Sequence, residues 1–470
     1  MEKHIDFDAL IKEQPSRKSK TGSILTWAGN LPAEALGMIL SMASREAGGF
    51  GKNILKLLGE TDIGKWFKKF FVGYGHKSIG DCGFTAFAID KASILSAVAF
   101  EHHALFSGAE TSTRYVDVTG LDYHVPQEDP KLHDMMKECF QMYRDCLEPL
   151  VDHMRKKYPY EDGWNPDTYE TTVRTKALDV LGSLLPAGAR TNYSVVMNLR
   201  QTRDHLSTLR YNPLVEIADL AETAILLMQD QHPGAFAGMN YDLDDPKNAE
   251  KKERDDYRRR CMRVAYYENV RWEIPAFDSK ELGTMMFQNT YQELYSLLAE
   301  RPKGVELPDR LNRGADFIGN YQIDFRSFRD LHRHRSMKQS MPLLTVEHGF
   351  EEWYLDQMPL DMRDKVVSWL DGYKYRLVGM DSMSSIDKQY LIPMGYKVGV
   401  EFSVGLAHLV YIIELRSQQT VHPTVRRVVQ SWARQLADML PNMKLYANMD
   451  PDKFDIKRGS QTIIEKKEVK

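Results

Sequence analysis

The sequence predicts an α+β fold of two repeated halves, each a small, mostly antiparallel sheet packed with helices, with helix dominant overall. Apolar residues recur at helical spacing over long stretches, whereas strand signals are few and short. One order of features also occurs twice. Leu184-Leu185-Pro186 is followed by Leu209-Arg210, and Leu391-Ile392-Pro393 by Leu415-Arg416, each arginine leading into an amphipathic helix. Two stretches of similar length with the same order point to duplication. A chain of 470 residues also exceeds one ordinary core, at ~150 residues per domain.

The elements follow in order. Residues 32–46 read as a helix, with Pro32 at its start and Gly48-Gly49 beyond its end. Residues 63–72 read as another, stopping before Gly73-Tyr74-Gly75. Phe84 to Ile89 is aromatic and alternating, as a strand requires. Residues 91–106, apolar and rich in Ala and Ser, suit a packed helix. Over 131–157, Met135, Cys139, Met142 and Cys146 recur at helical spacing, which makes the two cysteines small core residues on one face. The same period runs from Ile217 through Leu227 and from Val425 through Met439. These signals divide the chain into a first half over 1–235, a charged linker or helix over 236–260, a second half over 261–450 and a polar tail over 451–470.

Composition excludes several classes. The chain is 43% hydrophobic and 27% charged, with a net charge of -4, so it has no global field for nucleic acid or an anionic membrane. No apolar run reaches the ~20 residues of a membrane span. Met1 to Asp6 lacks a signal-peptide apolar stretch. Four cysteines without a Cys-x-x-Cys argue for a reducing compartment and against a disulfide scaffold or zinc ribbon. The expectation is a cytoplasmic protein with no metal site.

Four polar clusters carry the candidate chemistry. His76 and Ser78 follow a Gly-x-Gly turn, where backbone can approach a ligand and an imidazole can bond a heterocycle; a capped helix end explains them equally. Glu110, Ser112 and Arg114 alternate in an extended segment and so share one side. The guanidinium fork matches a phosphate and the serine can donate beside it, though a surface strand with an ion pair has the same pattern. Asn198, Arg200, Arg203, Asp204, His205 and Arg210 follow an apolar stretch, which suits either a helix facing a wet cavity or an exposed face with ion pairs. Arg326, Arg329 and Arg333 form a basic stripe running into His334 and Arg335, sized for a diphosphate or simply solvated. The chain has no Gly-x-Gly-x-x-Gly after a strand, no Walker loop, no Gly-x-Ser-x-Gly and no His-Glu-x-x-His.

Taken in order, these pieces resemble the flavin-dependent thymidylate synthases. That family carries Gly-His-x-Ser-Pro-x-Glu-His, then Arg-His-Arg, seven residues, and Ser-x-Arg-Tyr; a later Leu-Pro precedes Thr, Asn-x-Arg and Leu-Arg. Gly75, His76 and Ser78 match the first stretch, with Ile79 for Pro and Asp81-Cys82 for Glu-His. Ser112, Thr113, Arg114 and Tyr115 match the Ser-x-Arg-Tyr, and Leu185-Pro186, Thr191, Asn198, Arg200 and Arg210 the later stretch. His102-His103-Ala104 stands where Arg-His-Arg belongs. The second half reverses the pattern: Arg333-His334-Arg335 is intact, Leu343, Thr345 and Val346 replace Ser, Arg and Tyr, and Gly405 and Ala407 replace Asn and Arg.

The resemblance implies methylation of dUMP at C5, with FAD as cofactor and NADPH and methylenetetrahydrofolate as co-substrates. It implies that Glu110, Ser112, Arg114, Tyr115 and Arg210 hold the nucleotide, Arg210 also being catalytic. It implies that His76, Ser78, Asn198, Arg200, Arg333, His334 and Arg335 hold FAD. The expected partner is a small nucleotide, not nucleic acid or membrane, and the expected assembly is a homodimer of two-repeat chains. The losses at Arg-His-Arg and at Asp81-Cys82 leave open another pyrimidine nucleotide or a non-catalytic nucleotide-binding homologue. Cys82 reads either as a nucleophile in altered chemistry or as an inert thiol.

Overall fold

The computed structural model describes residues 16–18, 24–26, 31–43, 62–111, 122–242, 245–270, 298–313, 316–340 and 343–450. In chain order its elements begin with β1 (Ser16–Lys18), β2 (Ile24–Thr26), α1 (Ala33–Ala43), α2 (Ile63–Phe67), β3 (Phe84–Ser93) and α3 (Ile94–Glu101). Next come α4 (Pro130–Lys157), α5 (Pro166–Leu181), β4 (Arg190–Asn198), α6 (Leu199–Leu209), α7 (Val215–Gln231) and α8 (Ala249–Val270). The chain continues with β5 (Asp316–Asp324), α9 (Phe325–His332), β6 (Lys338–Gln339), α10 (Glu352–Asp356), α11 (Leu360–Val378) and α12 (Ser385–Lys388). It closes with β7 (Lys397–Gly405), α13 (Leu406–Arg416) and α14 (Pro423–Met439). The α+β class and the dominance of helix are as expected.

Contacts divide the chain into two compact units that interleave along the sequence. One comprises Met1–Ile89, Leu105–Ala109 and Ser194–Ala265; the other comprises Asp90–Ala104, Glu110–Tyr193 and Tyr266–Lys470. In the first unit, α1 packs Ala35, Met38 and Ile39 against Ile63 and Trp66 of α2. Asp62 caps α2 by accepting from the Lys65 amide, and the helix widens into a π turn over Lys68–Gly73, one residue past the expected end at 72. Gly75 follows at φ 70, a conformation that favours glycine. α7 buries Ile217, Ala221, Ala224, Ile225 and Met228, the stripe its period predicts. Charged residues over 251–260 lie on α8, so this part of the expected linker is helical.

The second unit holds β5, β7 and β6 in that order, with β7 antiparallel to both neighbours. Tyr321, Phe402 and Trp432 meet edge-to-face or tilted beneath this sheet, where α14 covers it. α4 carries Cys139 and Cys146 among its buried residues, as its spacing predicts. The helix expected over 91–106 is shorter. Residues 91–93 complete β3, Ser93 caps α3 by accepting from Ser96 N at 3.0 Å, and His102 leaves the helical conformation. A capping serine, not the apolar run, sets that start.

At the centre of this unit a local two-fold pairs residues around Pro186 with those around Pro393. Ala187 N donates to Ile392 O and Met394 N to Leu185 O, both at 2.9 Å. Gly188 N donates to Tyr390 O and Gly395 N to Ser183 O, both at 2.8 Å. The helices α3 and α9, which follow β3 and β5, join the same ladder: Ile94 N donates to Ala189 O, and Phe325 N to Tyr396 O. Every bond in the set thus has its counterpart with the halves exchanged. Glycine is required at this approach, because a Cβ on Gly188 would stand 2.8 Å from both His124 O and Tyr390 O.

Gly188→Ala should therefore destabilise the protein by about 2 kcal/mol, the cost of forcing an atom into a packed interior. Gly372→Ala is the control: the site is an open, exposed position inside α11, where alanine gains about 1 kcal/mol from helix propensity. Urea midpoints of the two variants should move in opposite directions.

Candidate functional site

In the second unit α9 presents the basic stripe. Asp324 caps the helix, accepting from Ser327 N at 2.8 Å, while Phe325, Phe328 and Leu331 enter the core. The solvated alternative for the stripe is set aside, since Arg326 and Arg329 are buried. Arg326 donates to Asp179 O and, at 3.4 Å, to Leu178 O, carbonyls in the last turn of α5. A cation placed there meets carbonyls at the negative end of the helix dipole.

Arg329 and Arg333 both grip Glu110. Arg329 Nη2 pairs with one carboxylate oxygen, and Arg333 Nη2 lies 3.1 Å from the other. Glu110 is fixed from its own side by an antiparallel bridge to Tyr193 of β4, so the extended backbone expected at that position is present. Its carboxylate is almost wholly buried, whereas the Arg333 side chain is 44% exposed. Glu101 approaches Arg333 Nε at 4.0 Å. Burial, then the Glu110 charge, pushes the Glu101 carboxyl up to about 7, against the pull of Arg333 and Arg329.

Histidines line the same region in neutral form. His102 Nδ1 and His332 Nε2 share a hydrogen bond of 2.9 Å between near-parallel rings. Burial, then His102 and the two arginines, pushes His332 down to about 3; burial also lowers His102. Nδ1 of His332 is buried with no partner. His334 Nε2 accepts from Arg416 Nε at 2.7 Å, and burial with the Arg416 charge holds that ring neutral, down to about 3. A cavity of about 200 Å³ lies between residues Glu101 to Ala104 on one side and His332, Arg335, Lys338 and Gln339 on the other.

In the first unit Asp81 is the organising acid. Arg200 Nε donates to Asp81 Oδ1 at 2.6 Å, and Asn198 Nδ2 to the same oxygen at 3.3 Å. Asn198 Oδ1 meanwhile caps α6 by accepting from Gln201 N at 2.8 Å. His76 and Ser78 are exposed on the short turn Lys77–Asp81 and its cap, His76 heading it. Arg203 donates to Ala235 O and Ala237 O. Arg210 is held in one orientation: Nε and Nη2 each meet a different oxygen of Glu222 at 2.8 Å, and Nη1 meets Met239 O at 2.8 Å.

The first unit thus joins Asn198 to Arg200 through Asp81, and the second joins Glu110 to Arg333. Ser112, Arg114 and Tyr115 lie outside the described residues. Sequence reasoning missed Glu101, Glu222 and the His102–His332 pair. Glu101 and His102 adjoin the eroded Arg-His-Arg position, which was the available signal. Cys82 donates weakly to Ser78 O at 4.0 Å, and burial with the Asp81 charge raises its thiol, the direction opposite to that of an activated nucleophile. Among the described residues no group of three or more His, Cys, Asp or Glu could hold a metal ion. No helix among them is long and apolar enough to cross a membrane.

Residues 38–234, which contain all of the first unit's polar set, match the family model of thymidylate synthase complementing protein. The chain resembles the flavin-dependent thymidylate synthase family. Other relatives match most of the chain. A UPF0159 protein of Chlamydia muridarum is 24% identical over 86% of this chain and 84% of its own length. A UPF0159 protein of Thermoplasma acidophilum is 23% identical over 80% of this chain and 87% of its own. A flavin-dependent thymidylate synthase of Thermococcus onnurineus is 24% identical over 32% of this chain and 55% of its own length. The thymidylate synthase-like pattern of the first half therefore sits inside a longer, two-part chain that the UPF0159 proteins match nearly end to end.

Glu101 gives this site a pH signature. An ordinary glutamate titrates near ~4.3, and the folded chain raises Glu101 to about 7. Below pH ~4 both states hold the proton. As pH rises to about 7 the unfolded chain releases it while the folded chain keeps it, so stability falls across that window and is level above it. Glu101→Gln should match wild type near pH ~4 and be more stable by about 2 kcal/mol above pH ~8. Chemical denaturation of both proteins across that range measures the difference.

Proposed function

We propose that this protein is a flavin-dependent enzyme of pyrimidine nucleotide metabolism that methylates dUMP at C5. What carries the reading is the grip of Arg329 and Arg333 on Glu110. It joins the acid that opens the nucleotide-binding pattern to the first residue of the Arg-His-Arg pattern, inside one chain.

The cavity residues fit a flavin. Two neutral imidazoles and a carboxyl protonated to about 7 offer hydrogen bonds without net charge, as a heteroaromatic ring requires. His332 Nδ1, buried and without a partner, is a polar atom for which the protein alone supplies no bond. Arg335 and Lys338 border the cavity with the positive charge a diphosphate needs. When bound, reduced FAD supplies the hydride, with NADPH and methylenetetrahydrofolate as source of electrons and carbon.

The chain's own residues position and stabilise. Arg114 takes the dUMP phosphate, with Ser112, Tyr115 and Glu110 beside it. Arg210, immobilised by Glu222 and Met239 O, offers a fixed cation to negative charge developing on the uracil carbonyl. His76, Ser78, Asn198 and Arg200 hold the flavin from the first half, and Arg333, His334 and Arg335 from the second. His334 serves as a neutral, oriented ring because Arg416 donates to it.

A second reading draws on a specific observation. Arg210, Arg200 and Arg333 are all engaged by carboxylates of this chain, an arrangement a non-catalytic nucleotide-binding homologue would also keep. The departure at Asp81-Cys82 from the family's Glu-His motivates a third reading, modification of a different pyrimidine nucleotide.

The visible spectrum of the purified chain, before and after addition of FAD, separates these readings. A flavin band is expected. A colourless protein that takes up no FAD supports the non-catalytic reading, and product analysis with dUMP, UMP and dCMP identifies the substrate. Arg114→Ala should lose at least tenfold in dUMP affinity by calorimetry with its circular dichroism unchanged; an unaltered affinity refutes the phosphate assignment.

A further inference from the structure

α8 carries the residues that read as a charged linker, and its docking is unusual. Among its residues from Ala249 to Arg263, Asp255 alone is buried. A helix held only for stability docks through an apolar stripe, whereas this one buries a carboxylate. Lys251, Asp255 and Arg259 recur every four residues and so share one face of α8. All three meet tyrosines of the first unit. The Lys251 ammonium stands 4.8 Å from the centre of the Tyr241 ring, and the Arg259 guanidinium 5.7 Å from that of Tyr211. Between them Tyr241 Oη donates to Asp255 Oδ2. Arg258 Nη1, three residues on, lies 3.5 Å from the other carboxylate oxygen.

The two phenols stand beside Arg210. Its guanidinium lies 5.8 Å from the centre of the Tyr211 ring, so Arg210 and Arg259 both approach that one ring. Burial, then a hydrogen bond to Asp255, raises the Tyr211 phenol. The same two causes push Tyr241 up to about 12, and the Arg210 charge pulls both phenols the other way. Both hydroxyls therefore keep their protons and share one acid as acceptor. Glu222 and Met239 O fix the Arg210 guanidinium through its N–H groups. The Tyr211 ring bounds it without a hydrogen bond, as a cation–π contact. Removing the Asp255 carboxylate takes from both rings the acceptor that orients them.

We propose, resting on the nucleotide reading above, that Asp255 is a positioning residue of the Arg210 site, acting through Tyr211 and Tyr241. The acid locks both rings, and the Tyr211 ring sets the attitude in which Arg210 meets charge developing on the uracil carbonyl. α8 is then a wall of the nucleotide site rather than a tether between halves. Every group involved belongs to the first unit. Without Asp255 the ion pair of Arg210 with Glu222 remains, so the nucleotide still binds. What is lost is alignment that matters only in the transition state.

Two measurements test this. The first needs no ligand. In the chain labelled with meta-fluorotyrosine, the fluorine resonances missing from Tyr211→Phe and from Tyr241→Phe identify the two rings. Both should shift in Asp255→Asn and stay in place in Glu250→Gln, which removes an exposed acid of the same helix. Resonances that Asp255→Asn leaves unmoved overturn the proposal. The second follows tritium release from C5-labelled dUMP by the holoenzyme. Asp255→Asn should lower kcat about tenfold, as a misplaced rather than a missing group does. KM should stay within about twofold, because the ground-state contacts remain. Asp255→Glu, which restores a carboxylate, should recover most of the rate. A kcat at the wild-type level, or a loss confined to KM, overturns the proposal. If Asp255→Asn does not fold, Tyr211→Phe replaces it: the ring stays, its bond to the acid goes, and the same loss of kcat is expected, an unchanged kcat being fatal. A wild-type chain inactive on dUMP removes the nucleotide reading, while shifted Tyr211 and Tyr241 resonances still uphold Asp255 as the group that holds both rings beside Arg210.

Discussion

The exchange of backbone hydrogen bonds around Pro186 and Pro393 is the constraint on which the second unit depends. Each half supplies amides to the carbonyls of the other, so neither half satisfies its own buried backbone there. Once the ladder forms, the entries to α3 and α9 are placed as well, because Ile94 and Phe325 donate into it. That placement brings α9 to the bridge between Glu110 and Tyr193. Backbone pairing thus sets the position of a charged cluster whose members are far apart in sequence.

The cluster itself follows an economy of charge. Arg329 is buried, and a lone buried guanidinium is prohibitive; Glu110 neutralises it. With Glu110 spent on Arg329 and Arg333, a second carboxylate nearby is disfavoured, and Glu101 keeps its proton to about 7. The adjoining histidines stay neutral for the complementary reason, being buried beside cations. The result is a wall rich in hydrogen-bonding groups and poor in net charge, with the exposed part of Arg333 at its edge. In the first unit Asp81 and Glu222 do for Arg200 and Arg210 what Glu110 does in the second.

Much of this was legible in the sequence, and the remainder was not for definite reasons. The helical stripes of α4, α7 and α14 follow directly from apolar spacing. The two proline segments singled out in the sequence, around Pro186 and Pro393, meet in an antiparallel bridge, whereas Arg210 and Arg416 take separate partners. Spacing also put Arg326, Arg329 and Arg333 on one face of a helix, but a period reports which residues share a face and not what covers it. Arg329 meets an acid 219 positions away, a relation no local pattern encodes. The start of α3 was misread because one buried serine decides it, within a run whose composition favours helix throughout. Glu101 and Glu222 escaped notice because glutamates on helices are ordinarily solvated, and their importance comes from neighbours remote in sequence.

The covalent link between the halves has a consequence for how the protein responds to dilution. An assembly of separate subunits loses its shared surfaces as concentration falls. Here the strands that exchange bonds around Pro186 and Pro393 belong to one polypeptide, and each sees the other at a fixed effective molarity set by the intervening chain. A few backbone bonds and half-exposed ion pairs, too weak to hold two free molecules together, are then sufficient. The pairing persists in a cell that holds only a handful of copies.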